Sequence, residues 1–146
     1  MVTRKSHPKI FFSEEEKKRI LRVIREAEKK TSGEIRVFME RKTREEATAR
    51  ARKVFKKIGM TKTKKRNGVL IYFSLATHDF AILGDQGIHH KVGEAFWQKI
   101  VADCTRYFYR DDFAGGLEVA IREIGTELAR HFPREAGDAN ELPDEI

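Results

Sequence analysis

Four aspartates are the residues best placed for chemistry. Asp79 stands at a tight connection, Asp85 follows an apolar run, and Asp111 and Asp112 precede a final amphipathic stretch. Calcium takes six to eight oxygen ligands and magnesium an octahedron, so a usable site needs two or more converging carboxylates. Asp85 meets Asp111 or Asp112 only if their two loops are neighbours in the fold. One hypothesis is therefore a calcium or magnesium site built from these aspartates.

The same aspartates also have local interpretations. Aspartate is favoured in turns and at helix N-caps, where its oxygens accept hydrogen bonds from free amides. Asp79 and Asp85 then act as turn residues, and Asp112 acts as the N-cap of the last helix. Because these roles need no convergence of distant loops, they are the simpler interpretation.

A basic cluster is the second candidate site. Its members are Lys62, Lys64, Lys65 and Arg66. Three lysines precede it on a predicted helix: Lys53, Lys56 and Lys57. Such a cluster can bind phosphate groups of nucleic acid or acidic lipid. The aromatic residues fall mostly at core positions, so no surface for stacking bases is indicated. A solvated basic face is the simpler interpretation.

Three further features are weaker candidates. His89 and His90 are adjacent, so their side chains point in different directions and do not form a simple metal-binding pair. Cys104 lies on an apolar helical stripe, where cysteine behaves as a small hydrophobic residue. Gly84-x-x-Gly87 precedes a helix and has free amides for a phosphate, but it lacks the lysine and Ser/Thr of a P-loop. The simpler interpretations are a helix start for the two histidines, a core residue for the cysteine and a plain turn for the two glycines.

Hydrophobic periodicity defines the elements that must position these residues. The segment SEEE at 13–16 has the spacing of a capping box and predicts a helix from Glu14. Period-two alternation predicts a strand over about 34–41. The segment TREE at 43–46 predicts a second capping box, and Gly59 ends the helix that follows it.

The second half of the chain supplies the rest of the sheet. An apolar run, GVLIYFSLA, begins at Gly68 and predicts a strand buried on both faces. The connection at 76–78 predicts a hairpin with the next strand, whereas a helix between the first two strands predicts a parallel crossover. Two helices are predicted at about 93–108 and at 113–131. The order α-β-α-β-β-α-α predicts an α/β fold, a three-layer α/β/α sandwich around a small mixed sheet.

Composition is typical of one globular domain. The chain has 146 residues, of which 40% are hydrophobic and 36% are charged. A basic leader at 1–12, a domain at 13–133 and an acidic, flexible tail at 134–146 are predicted. The single cysteine excludes an intrachain disulfide and a multi-cysteine zinc site. No apolar run approaches the ~20 residues that cross a bilayer, which predicts a soluble, cytoplasmic protein, taken as a monomer.

Charge is distributed unevenly along the chain. Residues 1–66 hold 23 of the 30 Lys and Arg but only 9 of the 23 Asp and Glu. This asymmetry favours either an anionic partner for the first half or mutual attraction between the two halves.

Several motifs together resemble the TPM domain family, which is named from a thylakoid lumen protein, a photosystem repair protein and a modulator of nicotinic receptors. The motifs are Asn67-Gly68-Val69-Leu70, Gly84-x-x-Gly87, Phe96-Trp97 and the F-x-G-G-L sequence at 113–117. The resemblance covers roughly residues 13–133. It implies the same α/β/α sandwich that the periodicity predicts.

For function, the resemblance implies less. A plant member is described as an acid phosphatase, several members bind calcium or another divalent metal through loop carboxylates, and many bacterial members are attached to membranes. Many relatives carry acidic residues just before the Asn-Gly pair, where this chain has Lys64, Lys65 and Arg66. Loss of those acids argues against a metal site here.

Three functional hypotheses follow. The leading one is a binding or regulatory module for a protein or membrane-associated partner. The second is a phosphomonoester hydrolase, in which a divalent cation held by Asp85 and Asp111 or Asp112 polarises the phosphoryl group and activates water. The third is binding of nucleic acid or another anionic surface through the basic N-terminal half.

Overall fold

The computed structural model describes residues 4–135, which form helices on both faces of a small sheet. The helices are α1 (Glu14–Glu28), α2 (Ala47–Lys57), α3 (Gln86–Val92), α4 (Glu94–Phe108) and α5 (Phe113–His131). The strands are β1 (Glu34–Glu40), β2 (Gly68–Ser74) and β3 (Asp79–Gly84). A short 3-10 helix, Met60–Lys62, leads from α2 to β2. This architecture confirms the predicted α/β/α sandwich.

β2 is the central strand, and every one of its residues is buried. Ile71 lies opposite Val37 of β1 in a parallel pairing and opposite Ile82 of β3 in an antiparallel pairing. Successive strand residues point to opposite faces, so Leu70 and Tyr72 pack beneath α2 while their neighbours pack against α1, α4 and α5. The predicted crossover, hairpin and doubly buried strand are all confirmed.

The start of α1 is as predicted, but the folded region begins earlier. Ser13 Oγ accepts a hydrogen bond from the Glu16 N–H at 3.1 Å, and the Glu16 carboxylate accepts one from the Ser13 N–H at 3.0 Å. Phe11 and Phe12 are 2% and 1% exposed. Phe11 packs against the ring of Phe113 in α5, with ring centroids 5.3 Å apart. The end of the predicted leader is therefore part of the core.

The second predicted capping box is wrong. Glu46, its last residue, is the N-cap of α2 and accepts a hydrogen bond from the Ala49 N–H at 3.0 Å. Thr43 accepts a hydrogen bond from the Glu45 N–H at 3.1 Å and so forms a turn instead of a cap. The other end is as predicted, because Gly59 adopts a φ of +80° just after the helix. Glycine takes this left-handed conformation without steric cost.

The segment between β3 and α4, where the sequence predicted a turn followed by a helix start, forms the separate helix α3. Gly93, with a φ of +79°, separates α3 from α4. The ranges of α4 and α5 agree with the prediction. Of the predicted tail, residues 136–146 lie outside the described part of the chain. Within residues 4–135, no helix is both long and apolar enough to cross a membrane.

A polar network joins the sheet to α2. The Tyr72 hydroxyl donates a hydrogen bond to Glu40, and Arg50 donates to both oxygens of the same carboxylate at 2.8 and 3.0 Å. Burial raises the pKa of Tyr72. Burial also acts to raise the pKa of Glu40, but the hydrogen bonds from Arg50 and Tyr72 outweigh it and hold that pKa below its ordinary value of 4.5.

We expect this network to make the stability of the fold depend on acid pH. The pKa of Glu40 is lower in the folded chain than in the unfolded chain, so its ionised form stabilises the fold above about pH 4.5. That contribution disappears as pH falls through the folded-state pKa. Glu40→Gln should lower the free energy of unfolding at pH 7 and flatten its loss between about pH 5 and pH 3.

Urea denaturation at a series of pH values measures this effect. Glu15→Gln, an exposed substitution on α1, is the control and should keep the wild-type pH slope. An unchanged slope in Glu40→Gln would contradict the expectation.

Candidate functional site

Asp85 lies directly after β3, and its carboxylate is occupied by contacts within the chain. Its Oδ1 accepts a hydrogen bond from the Gln86 N–H at 2.8 Å, which caps α3. Arg66 donates to the same carboxylate twice, from Nε at 2.6 Å and from Nη2 at 2.9 Å. The Asp85 side chain is only 6% exposed. Both of its oxygens therefore have partners in a buried structural contact.

The other three predicted ligands lie at the opposite end of the sheet. Asp79 is the exposed first residue of β3, opposite the last residue of β2. Asp112 is the N-cap of α5 and accepts a hydrogen bond from the Gly115 N–H at 2.9 Å. Asp111, beside it, has a φ of +58° in the loop before the helix. The N-cap interpretation of Asp112 agrees with this geometry.

Ring contacts locate the start of α5 relative to the sheet. Phe113 follows Asp112, and its ring centroid lies 4.8 Å from that of His78 in the β2–β3 connection. It also lies 5.8 Å from the ring of Phe73, near the end of β2. Asp85 instead bonds to the start of β2, where its N–H donates to the Gly68 carbonyl at 2.9 Å. The fold thus does not bring Asp85 together with Asp111 or Asp112.

These residues do not fit a calcium or magnesium ion. Either ion needs several converging oxygen ligands. In the part of the chain from 4 to 135, no three His, Cys, Asp or Glu side chains are grouped closely enough to hold a metal. The Arg66 guanidinium also lies on Asp85, where a cation would have to bind. Metal binding by the four aspartates stays a prediction that this geometry does not support.

Gly84-x-x-Gly87 is a close-packing feature. A Cβ on Gly84 would lie 2.3 Å from the Trp97 ring, and a Cβ on Gly87 would lie 2.1 Å from the carbonyl oxygen of Lys65. Neither site has room for a larger residue. The Gly87 N–H donates to the Arg66 carbonyl at 2.8 Å and is therefore not available to a phosphate.

The histidines and the cysteine have structural surroundings. His89 accepts a hydrogen bond from Trp97 Nε1 at 2.9 Å, which holds α3 against α4. His90 is exposed, so the two adjacent imidazoles have separate environments. Cys104 is fully buried, and burial raises the pKa of its thiol to about 12. A thiol that stays protonated at neutral pH is a poor nucleophile.

The basic cluster remains as an exposed surface, except for Arg66. We define the basic face as Lys56, Lys57, Lys62, Lys64 and Lys65, all of which are exposed. The first two end α2, and the other three lie on the connection to β2. In residues 4–135 none of the five forms an ion pair, whereas Lys53 pairs with Glu45. The basic face therefore presents five exposed positive charges without ion pairs in that range, of which Lys57 lies close enough to Glu40 to help lower the pKa of that carboxyl.

Sequence reasoning missed two surface features. Tyr109 is 85% exposed at the end of α4. The outer edge of β3 has no partner strand in the described residues. The exposure of Tyr109 could have been predicted from the run of three aromatic residues at 107–109, because an amphipathic helix buries only part of such a run. The open edge of β3 had no local signal in the sequence, because strand order depends on tertiary pairing.

The comparisons with known proteins agree with this fold. The family model of the TPM domain matches residues 7–127. Among solved structures, the chain is similar to the BA42 protein from the psychrophilic bacterium Bizionia argentinensis, determined by NMR, with 40% sequence identity and a TM-score of 0.86. That match covers 95% of this chain and 96% of the other. No curated protein matches the sequence.

If Asp85 has a structural role, removal of its side chain should lower the stability of the fold. We expect Asp85→Ala to lower the free energy of unfolding by about 1–2 kcal/mol, because the α3 cap and the partner of Arg66 are lost together. Asp79→Ala, at the exposed first position of β3, is the matched control and should change the free energy of unfolding by less than about 0.5 kcal/mol. Urea denaturation of the two variants checks this, and equal stabilities would argue against the structural role.

Proposed function

The chain belongs to the TPM domain family, and on that premise we propose that it is a binding module whose basic face docks on an acidic surface of a partner protein. The observation that carries the proposal is the set of five exposed lysines without ion pairs at one end of the sandwich. Uncompensated charge of one sign steers partners of the opposite sign and raises the rate of association.

The placement of the lysines supports recognition by a fixed surface. Lys56 and Lys57 end α2, where positive charge is favoured by the helix dipole. The connection that carries Lys62, Lys64 and Lys65 is held by the buried Met60, which is 0% exposed, and by the buried Thr63. Both ends of the basic face are therefore attached to the core.

A protein partner is favoured over a membrane or nucleic acid by the neighbouring side chains. In residues 4–135 the large apolar side chains that are strongly exposed are Ile10 and Tyr109. Neither belongs to the basic face, so that face has no residue to insert into a lipid interface and no aromatic ring on which a base could stack.

Charge reversal on the basic face tests this function. We expect the wild-type chain to bind poly-L-glutamate, used as an acidic polypeptide probe, with an affinity that falls as salt is added. The triple variant Lys62→Glu, Lys64→Glu, Lys65→Glu should bind at least about tenfold more weakly, since each exposed ion pair contributes ~0.5 kcal/mol.

The matched control carries the same change of charge on α1. Its substitutions are Lys18→Glu, Arg22→Glu and Arg25→Glu, all at exposed positions. It should stay within about threefold of wild type. Anionic vesicles and duplex DNA are parallel probes. Tighter binding to either, lost in the same triple variant, would overturn the choice of a protein partner, and equal losses in both triple variants would overturn the basic face itself.

The hydrolase hypothesis has no comparable support. It needs Asp85 and Asp111 or Asp112 around one phosphoryl group, and these residues lie at opposite ends of the sheet. The carboxylate of Asp85 is also held by Arg66. Binding is therefore the function that the geometry favours.

A further inference from the structure

The outer edge of β3 is open along its length. Within residues 4–135, β3 pairs with β2 alone. The Asp85 N–H donates to the Gly68 carbonyl directly opposite, which fixes the alternation of the antiparallel ladder. By that alternation, the backbone N–H and C=O groups of Phe80, Ile82 and Gly84 point away from β2. These unpaired groups form a template for another strand.

Apart from Asp79 at its start, β3 carries no residue of the kind that protects an edge. Natural edge strands are usually protected by charged side chains, proline or bulges. The segment from Phe80 to Gly84 is FAILG, which contains none of these residues. An edge of this composition that is kept free of protection favours a role in pairing.

The edge lies at the floor of a groove. On one side stand Thr48 and Arg52 of α2, and on the other stand Trp97 and Val101 of α4, around a cavity of about 480 Å³. A second cavity of about 370 Å³ shares Phe80 and Val101 with the first and continues to the exposed Tyr109. Together the two cavities follow β3 from one end to the other.

The two walls of the groove differ in chemistry. The α4 wall offers the apolar surfaces of Trp97 and Val101. The α2 wall carries Arg52, which is exposed and forms no ion pair in the described residues. Glu94 and His90 lie at the end near Gly84. Because side chains of a strand alternate between faces, a strand in this groove would turn every second residue toward each wall.

We propose that this groove binds an extended segment of a partner protein, which adds to β3 as a fourth strand. Main-chain hydrogen bonds to Phe80, Ile82 and Gly84 supply affinity, as in other cases of strand addition. Specificity comes from the walls, since acidic side chains of the segment face Arg52 and apolar ones face Val101. This surface is distinct from the basic face, so the inference does not depend on the proposed function.

The same features argue against a second copy of this chain in the groove. Joining two β3 edges would bring two α2 helices, each with an exposed Arg52, toward each other, and like charges repel. Because α2 and α4 stand on either side of β3, a second copy would also bring its own two helices against them, whereas a single strand would not. A single acidic segment meets neither obstacle.

An octapeptide of alternating valine and glutamate is the probe for this proposal. We expect it to bind the wild-type chain below about 1 mM, and a valine–lysine octapeptide to bind at least about fivefold more weakly. Saturation should slow hydrogen exchange at the amides of Phe80, Ile82 and Gly84 by about tenfold or more. Of two peptides N-methylated on alternate amides, one should lose binding and the other keep it, because only one set of amides faces β3.

Variants separate this surface from others. Arg52→Glu should weaken binding of the acidic peptide by about fivefold and improve binding of the basic one. Arg22→Glu, an exposed arginine on α1, is the matched control and should leave both affinities within about threefold. The Lys62, Lys64, Lys65 triple variant should still bind the octapeptide, so that failure of the basic face and failure of the groove are distinguishable.

Several results would overturn the proposal. Absence of binding at about 1 mM would remove it, as would binding with no protection of the three amides. Equal effects of the two N-methylated peptides would mean that the main chain is not recognised. Protection of the same amides that grows with protein concentration in the absence of peptide, together with a dimer in sedimentation, would assign the edge to a second copy.

Discussion

The complete burial of β2 is the constraint on which the rest of the structure depends. A strand with apolar side chains on both faces, such as Ile71 and Leu70, must be covered by a layer on each side, and its neighbours must be β1 and β3. With α2 on one face and α1, α4 and α5 on the other, the polar groups are displaced to the two ends of the sheet and to the outer edges. Because the interior is filled, a binding surface of this chain lies outside it, at the ends and edges of the sheet or on the outer faces of the helices.

This constraint also explains the roles of the acidic residues. Asp85 reaches the end of β3 and is used there to cap α3 and to bind Arg66, and Asp112 is used to cap α5. Glu40 is used to hold Arg50 and Tyr72 between the sheet and α2. Each of these carboxylates accepts hydrogen bonds from donors within the chain. A carboxylate committed in this way offers little to a ligand, which is why residue type alone was a weak guide to a site.

Much of the fold was predictable from the sequence because it rests on local rules. The capping box at Ser13, the glycine end of α2 and the buried run from Gly68 each have a local physical cause, and each was predicted. The capping box at Thr43 failed because its hydroxyl oxygen accepts a hydrogen bond from the Glu45 N–H in a turn and not from the Glu46 N–H. For the candidate site, the convergence of Asp85 with Asp112 could not be judged from the sequence, since the end of the sheet that each residue reaches depends on how α5 packs. The pairing of Arg66 with Asp85 depends on the same tertiary placement.

The positions of the groups that lack partners help to distinguish the binding hypothesis from the hydrolase hypothesis. Catalysis requires several groups converging on one point. Glu40 and Tyr72 do converge, but they bind each other. Two of the unused interactions are spread along surfaces: the lysine charges of the basic face and the main-chain groups along the edge of β3. Extended features of this kind match extended partners, because affinity accumulates from many weak contacts that a small substrate cannot reach at once. These extended features therefore support the proposed role in binding a macromolecule.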